Sequence, residues 1–352
     1  MRGIQRRLKF GLAEVSVEPQ QAVEDGVLAE KAGFDSIWIP DHIVDVNGDK
    51  MEPWTVLSAI AVQTKKVKLG PAVTDTQRAH PSRTAHVATT LNHISKGRVL
   101  LGIGAGEAMN VVPYGLPWGE PAERAARLEE AVKVIKLLWA SSREKMVSFK
   151  GEYYSLDKAF ISLRQYKETP PPVYVGAMNA RSTLELTGKM GEGWFCWFNT
   201  PETFARKWKI VSEAARAAGR DPRKIDTCSH LLMALPRNSE ERASAMLGAK
   251  ATLLMEKRTL ASMGYEPRAD FLQYQNFTIT KEYVASIMKE ASEIPDEYVH
   301  RCMAVGTLED VERMVEQFAK AGIKHIVVAD FLAPKTTKRT IQSLRKLIAS
   351  HH

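Results

Sequence analysis

Eight short runs of apolar and β-branched residues recur along this chain, and stretches of helical periodicity separate them. No other feature restricts the fold as much. The runs are LKFGLA, FDSIWIP, VKLGPAV, RVLLGIG, PVYVGA, GWFCW, DTCSHLLMAL and HIVVAD. Alternation of this kind is the signature of βα units and a parallel sheet. Between the fourth and fifth runs a helix is predicted over Glu123 to Trp139. Leu128, Val132, Ile135 and Trp139 form its apolar stripe, while Arg124, Glu130 and Lys133 face away. Eight strands, each followed by a helix, are the parts of an α/β fold of the (β/α)8 TIM-barrel type.

A doubly wound open sheet is the competing architecture, and it asks for a phosphate loop after a strand. The best candidate is VLLGIGAGEAMN, Val99 to Asn110. A dinucleotide fingerprint needs glycines that open a helix and an acidic ribose ligand about 20 residues on. Here Gly102, Gly104 and Gly106 alternate, and the run stops at Glu107, a carboxylate at the end of a buried strand. The barrel is therefore the expectation. At 352 residues, with 44% hydrophobic residues and no low-complexity linker, the chain reads as a single domain over residues 1–352. Helical patterning around Met255 and Ile287 predicts a helical insertion over about 252–300, before the last βα unit.

Composition narrows the function classes. No apolar run approaches the roughly 18 residues of a membrane span, and the start MRGIQRRLKFGLAEV has no long apolar core, so a cytoplasmic protein without membrane partners is expected. The net charge of +8 is scattered among helices, which argues against a nucleic-acid partner and remains compatible with a polyanionic cofactor. Cys196, Cys228 and Cys302 are odd in number and widely spaced, so they read as small buried hydrophobes and no metal site is expected.

In a barrel the active site lies at the carboxyl ends of the strands. Three pairs of candidates follow apolar runs: Asp41 with His42, Thr74 with Asp75, and Gly106 with Glu107. Any one pair alone reads as ordinary surface. On three strands of one barrel they would share one mouth.

The segments GFDSIWIPDH, LGPAVT, HPSRTAHVATTLNHISKGRVLLGIGAGEAMN and PPVYVGA resemble the bacterial-luciferase-like superfamily, in the branch that uses the deazaflavin coenzyme F420. The resemblance covers about Leu8 to Phe198 and resumes at RCMAVGTLEDVERMVEQFAKAGIKHIVV. Within that branch it points to sugar-phosphate and secondary-alcohol dehydrogenases, with methylenetetrahydromethanopterin reductase farther off. It implies hydride transfer, with His42 as acid or base on the substrate oxygen and Glu107 serving the proton of the coenzyme ring. It also implies that the glycines clear space for that ring. Asp41, Ala72, Val73, Thr74, Gly106 and Asn110 are implied coenzyme contacts, with a non-prolyl cis peptide at Ala72–Val73. Backbone around Gly176, Ala177, Met178 and Asn179, ahead of a helix, is the implied phosphate site, and Arg181 is near enough in sequence to meet an acidic tail.

The departures concern the substrate. Trp197 and Thr200 stand where the sugar-phosphate enzymes carry two of three phosphate anchors, and only Arg301 matches the third. Arg301 reads equally as a substrate contact or a structural ion-pair partner. Val46 replaces a frequent tryptophan, leaving Trp38, Trp54 or Trp197 to supply an aromatic wall, with core packing the better reading for Trp38. The expected pocket is apolar with one acid/base pair, suited to a secondary alcohol, its ketone, or a bulkier lipid-like or pterin-like substrate, and the expected assembly is a homodimer. A pterin reductase, an FMN monooxygenase and a non-catalytic flavin-binding barrel are the alternatives.

Overall fold

The structure, a computed structural model, describes residues 7–13, 16–45, 50–254, 256–267, 279–333 and 335–351. Val46 and Met255, both used above, lie outside the described residues. The strands are β1 (Lys9–Ala13), β2 (Ser36–Ile39), β3 (Lys68–Pro71), β4 (Thr74–Asp75), β5 (Leu101–Gly104), β6 (Val147–Lys150) and β7 (Ser155–Ala159). They continue with β8 (Val173–Gly176), β9 (Gly193–Cys196), β10 (Asp226–Ala234), β11 (Ala304–Val305) and β12 (His325–Asp330).

The main sheet runs β3-β2-β1-β12-β10-β9-β8-β5-β4, and its neighbours are parallel. First and last strands are therefore neighbours, as a barrel requires and an open sheet does not. A parallel bridge between Leu69 and Val99 brings the two ends of that order together. All eight apolar runs become barrel strands. The antiparallel hairpin of β6 and β7 was not anticipated, because its residues are half-buried or exposed and carry no continuous apolar signal.

The helix predicted from Glu123 begins at Pro121, whose missing N–H costs nothing in the first turn, and ends at Trp139 as expected. Its Leu128, Val132, Ile135 and Trp139 are buried. Between β10 and β11 lie helices Ser239–Leu254, Lys257–Ser262, Lys281–Ser292 and Asp296–His300. Their Ala249, Leu253, Ile287 and Val299 belong to one hydrophobic cluster with Trp38, Phe195 and Val327 of the strands, so these helices continue the barrel's inner layer. All three cysteines are buried and unpaired.

The amino-terminal mouth is sealed by matched polar groups. Asp226 takes Lys9 Nζ at 2.7 Å and the Tyr174 hydroxyl at 2.7 Å, with His325 Nδ1 at 3.3 Å. Burial alone would raise the Asp226 carboxyl; His325 and Lys9 outweigh it and hold the group well below the usual carboxylate range.

Candidate active site

Beyond β2 the chain presents Asp41 and His42, and beyond β5 it presents Gly106 and Glu107. The two loops are fastened by Asn110, whose Oδ1 accepts the backbone N–H groups of Ile43 at 2.6 Å and Val44 at 3.0 Å. That fastening brings His42 against Glu107. Nδ1 of His42 lies 2.9 Å from Asp45 Oδ2, and Nε2 lies 3.2 Å from Glu107 Oε2. The second contact is close without the alignment of a hydrogen bond, so Glu107 Oε2 is buried without a hydrogen-bond partner. Burial pushes the imidazole down, but the Glu107 and Asp45 carboxylates outweigh it and raise His42 to about 9. His42 and Glu107, assigned above to opposite partners of a hydride transfer, are in contact, and the Glu107 carboxylate is the largest influence raising His42.

The peptide between Ala72 and Val73 is cis. Around it the glycines have a use within the protein itself, beside the one expected. A Cβ on Gly102 would stand 2.1 Å from the Pro71 carbonyl, and one on Gly104 would stand 2.8 Å from a Val73 methyl. A Cβ on Gly176 would reach the same methyl at 3.0 Å. Gly102 and Gly104 thus make room for the chain joining β3 to β4, and Val73 forms the floor of the cleft above them. Gly106 is needed for its backbone: φ is +87°, which turns the chain to present Glu107.

Asp41 and Asp75 share Arg78, which lies 3.0 Å from Asp41 Oδ1 and 2.5 Å from Asp75 Oδ2. Burial raises the Asp41 carboxyl, against the pull of Arg78 and a hydrogen bond from Thr74. Thr74 is buried behind the cleft and acts on it through Asp41. Arg78 escaped the sequence reading, although its place three residues after Asp75 favours such a pairing.

Asp41, His42, Val73, Glu107, Asn110, Gly176, Met178, Asn179 and Trp197 all line one cleft of about 290 Å³. Ala72 and Gly106 complete the expected part of its lining. Ala177 points elsewhere: its carbonyl accepts the Trp194 indole N–H at 2.8 Å. Arg301 is also elsewhere, donating to the Met263 carbonyl at 2.9 Å, and Arg181 is an exposed partner of Glu185. A larger cleft of about 890 Å³ beside the amino-terminal ends of β8 and β9 contains none of the candidates. Chemistry therefore selects the smaller one.

Among the lining residues that the sequence reading missed, four carry an aromatic ring or a charge. Trp118 and Arg124 follow β5 at a distance, with the guanidinium 4.0 Å above the indole ring. Phe195 lies inside a strand run, where it reads as core. Glu256 comes from the segment between β10 and β11, and its Oε2 accepts from Asn179 Nδ2 at 2.8 Å. Behind Trp197, His230 stacks on the indole at 4.4 Å with neither ring nitrogen hydrogen-bonded. Burial drives its imidazole down to about 3.

A family model described as Luciferase-like monooxygenase matches residues 9–325. An F420-dependent glucose-6-phosphate dehydrogenase of Microbacterium testaceum is 37% identical over 62% of this chain and 66% of its own length, so that match spans just under two thirds of the relative. A 5,10-methylenetetrahydromethanopterin reductase of Archaeoglobus fulgidus is 28% identical over 97% of this chain and 98% of its own. Among solved structures, an F420-dependent secondary alcohol dehydrogenase in complex with an F420-acetone adduct superposes with a TM-score of 0.82, at 26% identity over 98% of this chain and 99% of that one. With the family model matched from the first strand to the last, on a nearly closed parallel barrel, this chain belongs to the luciferase-like monooxygenase family.

Proposed function

We propose that this chain is an F420-dependent oxidoreductase that exchanges hydride between the deazaflavin and a secondary alcohol or ketone. The observation that carries the reading is the contact of His42 Nε2 with Glu107 Oε2 at the carboxyl ends of β2 and β5. The fit of the coenzyme is supported by three buried polar atoms of the segment after β5 that have no hydrogen-bond partner. They are the acceptor Glu107 Oε2 and the donors Asn110 Nδ2 and Trp118 Nε1. Two donors and one acceptor complement the edge of a pyrimidinedione ring, in which two carbonyls flank an N–H. Val73 gives the ring's face an apolar floor, and backbone from Gly176 to Ala180, ahead of helix Arg181–Met190, suits the coenzyme phosphate. FMN would present the same edge; two of the three relatives above are named for F420.

Bound in this cleft, the deazaflavin supplies a hydride donor or acceptor at C5. The protein's part is the proton. At neutral pH His42 is the imidazolium, because its folded value of about 9 lies above the medium. It can therefore deliver a proton from Nε2 to a ketone oxygen as hydride arrives at the carbon. In the reverse direction neutral His42 takes the alcohol proton at the same atom. Glu107 steadies the cation and Asp45 orients the ring through Nδ1. Phe195, Trp197 and Met178 give the remaining wall its apolar part, beside Asn179 and Glu256.

Reduction of a pterin substrate is the second reading, favoured by the Archaeoglobus relative's match over nearly the whole chain. We read the chain further as one barrel domain with its inserted helices, acting on a small molecule in the cytoplasm as a homodimer. Among the described residues no helix is long and apolar enough to cross a membrane. Calorimetric titration with F420 and with FMN, followed by a panel of secondary alcohols, ketones and a methylene pterin, tests the reading. Much tighter binding of F420 and turnover of an alcohol or ketone are expected. Equal or tighter FMN binding would overturn it, and turnover of the pterin alone would move it to the second reading.

A further inference from the structure

One charge beside the proton machinery has no part of its own in hydride transfer. Arg78 stands behind the cleft that Asp41 and Asp75 line, with its side chain 16% exposed. Its Nε–H donates to Asp75 Oδ2, while Nη2 donates to the Asp41 carbonyl at 2.5 Å and lies 3.0 Å from Asp41 Oδ1. Asp75 is itself fixed. It pairs with Gly104 across β4 and β5, and its Oδ1 accepts the backbone N–H groups of Gln77 at 2.7 Å and Arg78 at 2.8 Å. The residue before His42 is thereby tied to the end of β4, and the two residues after it, Ile43 and Val44, are tied to Asn110 beyond β5. The same segment reaches the other member of the pair. Gln77 Nε2 donates to the Ala105 carbonyl at 3.4 Å, and a Cβ on Gly106 would stand 3.1 Å from Gln77 Cγ and 3.4 Å from Asp75 Cβ. Residues 75–78 therefore touch the chain just before His42 and just before Glu107.

We propose that Arg78 is a positioning residue for proton delivery, whose guanidinium holds the loop after β2 so that His42 Nε2 meets Glu107 Oε2. The inference rests on the proton role given to His42 above. A planar guanidinium presents its donors in a fixed fork and serves two acceptors at once, whereas an ammonium is a point charge on a flexible stem. The charged groups that face His42 are Glu107, Asp45 and Lys50, with Lys50 Nζ 3.7 Å from Asp45 Oδ2. Glu107 is the largest influence raising the imidazole, so a loop that slackens away from it lowers His42. Loss of a nearby cation has the opposite sign, because by charge alone it would raise His42. Position and charge are thus separable.

The test titrates the His42 ring by proton NMR in the full chain without coenzyme, its signal identified by its loss in His42→Ala. That readout does not depend on F420; failure of F420 to bind the unaltered protein overturns the hydride-transfer reading instead. The unaltered protein is expected to titrate near 9. Arg78→Lys keeps the charge and gives up the fork, and in it His42 is expected to fall by about 1 pH unit or more, toward the ordinary value near 6.5. The alkaline limb of ketone reduction should move down with it, and turnover should slow roughly 10- to 100-fold. Should the lysine variant not fold, as judged by circular dichroism, Arg78→Gln takes its place. Loss of the cation alone would there raise His42, so a fall still reports position. An unmoved or raised His42 in the folded variant, a titration near 6.5 already in the unaltered protein, or a fall in His42 with undiminished turnover would each overturn the proposal.

Discussion

Two histidines, the half-buried His42 and the buried His230, occupy the two walls of one barrel and are driven in opposite directions. His42 sits between two carboxylates and is raised to about 9, whereas His230 sits between Phe195 and Trp197 and is lowered to about 3. Both lose water, which by itself disfavours the charged ring. Only His42 has anions near enough to reverse the sign. The wall formed after β2 and β5 therefore holds a proton ready at neutral pH. The wall formed by β9, β10 and the inserted helices offers shape and a neutral ring. In the function proposed above, proton delivery falls to the first wall alone.

The comparison breaks most visibly at His42. His42→Ala is expected to lower turnover by roughly 10² to 10⁴, the usual worth of a general acid or base, while coenzyme affinity stays nearly unchanged. Single-turnover bleaching of the oxidised coenzyme, read beside its binding constant, measures both. Full activity would show that the charged wall is structural. An effect confined to coenzyme affinity would assign the proton to the other side of the transfer.

Removing the neighbouring anion should move the proton without removing it. His42 has a folded value above its unfolded one. Its acid form, and the stability it lends, are therefore complete below about 6.5 and lost as pH rises through about 9. Ketone reduction should fall along that alkaline limb. In Glu107→Gln the limb should shift down by about 1 to 3 pH units, the usual worth of an opposite charge at this range. An unmoved limb would mean that Asp45 alone sustains the imidazolium.

The two walls also differed in how far the sequence disclosed them. Asp41, His42, Thr74 and Glu107 could be found because each closes an apolar run, and strand ends converge in a barrel. Their pairings could not be read from spacing: His42 meets Glu107 only because Asn110 fastens two loops 66 residues apart in sequence. The glycines of VLLGIGAGEAMN were legible as special, but the protein groups that crowd them were not. The crowding at Gly102 and Gly104 comes from Pro71, at the end of β3, and Val73, just beyond it, which no local pattern reports. Ala72–Val73 was reached through resemblance alone. On the other wall, His230 hides inside DTCSHLLMAL as a strand residue, and Glu256 lies among inserted helices that follow no strand end. Arg301 matched a motif by position, yet it does not line the cleft and one of its N–H groups bonds the Met263 carbonyl.

The smallest effect expected here is thermodynamic, and it sharpens the comparison from the neutral wall. His230 is 4% exposed and neither ring nitrogen has a hydrogen-bond partner, so an aromatic of similar size should replace it at little cost near pH 7. Acid should then separate the two proteins. The unfolded histidine takes up its proton near pH 6.5, whereas the folded one resists until about 3. Between those values the unfolded state binds the extra proton, so the native state loses about 1.4 kcal/mol per pH unit through this group. In His230→Phe that loss is absent. Urea unfolding at pH 7 and pH 5 should show the variant gaining about 2 kcal/mol relative to the unaltered protein on going to the lower pH. Parallel losses would mean that His230 accepts a proton in the folded barrel. The wall behind Trp197 would then resemble the His42 wall in holding charge, and the separation of shape from proton delivery would fail.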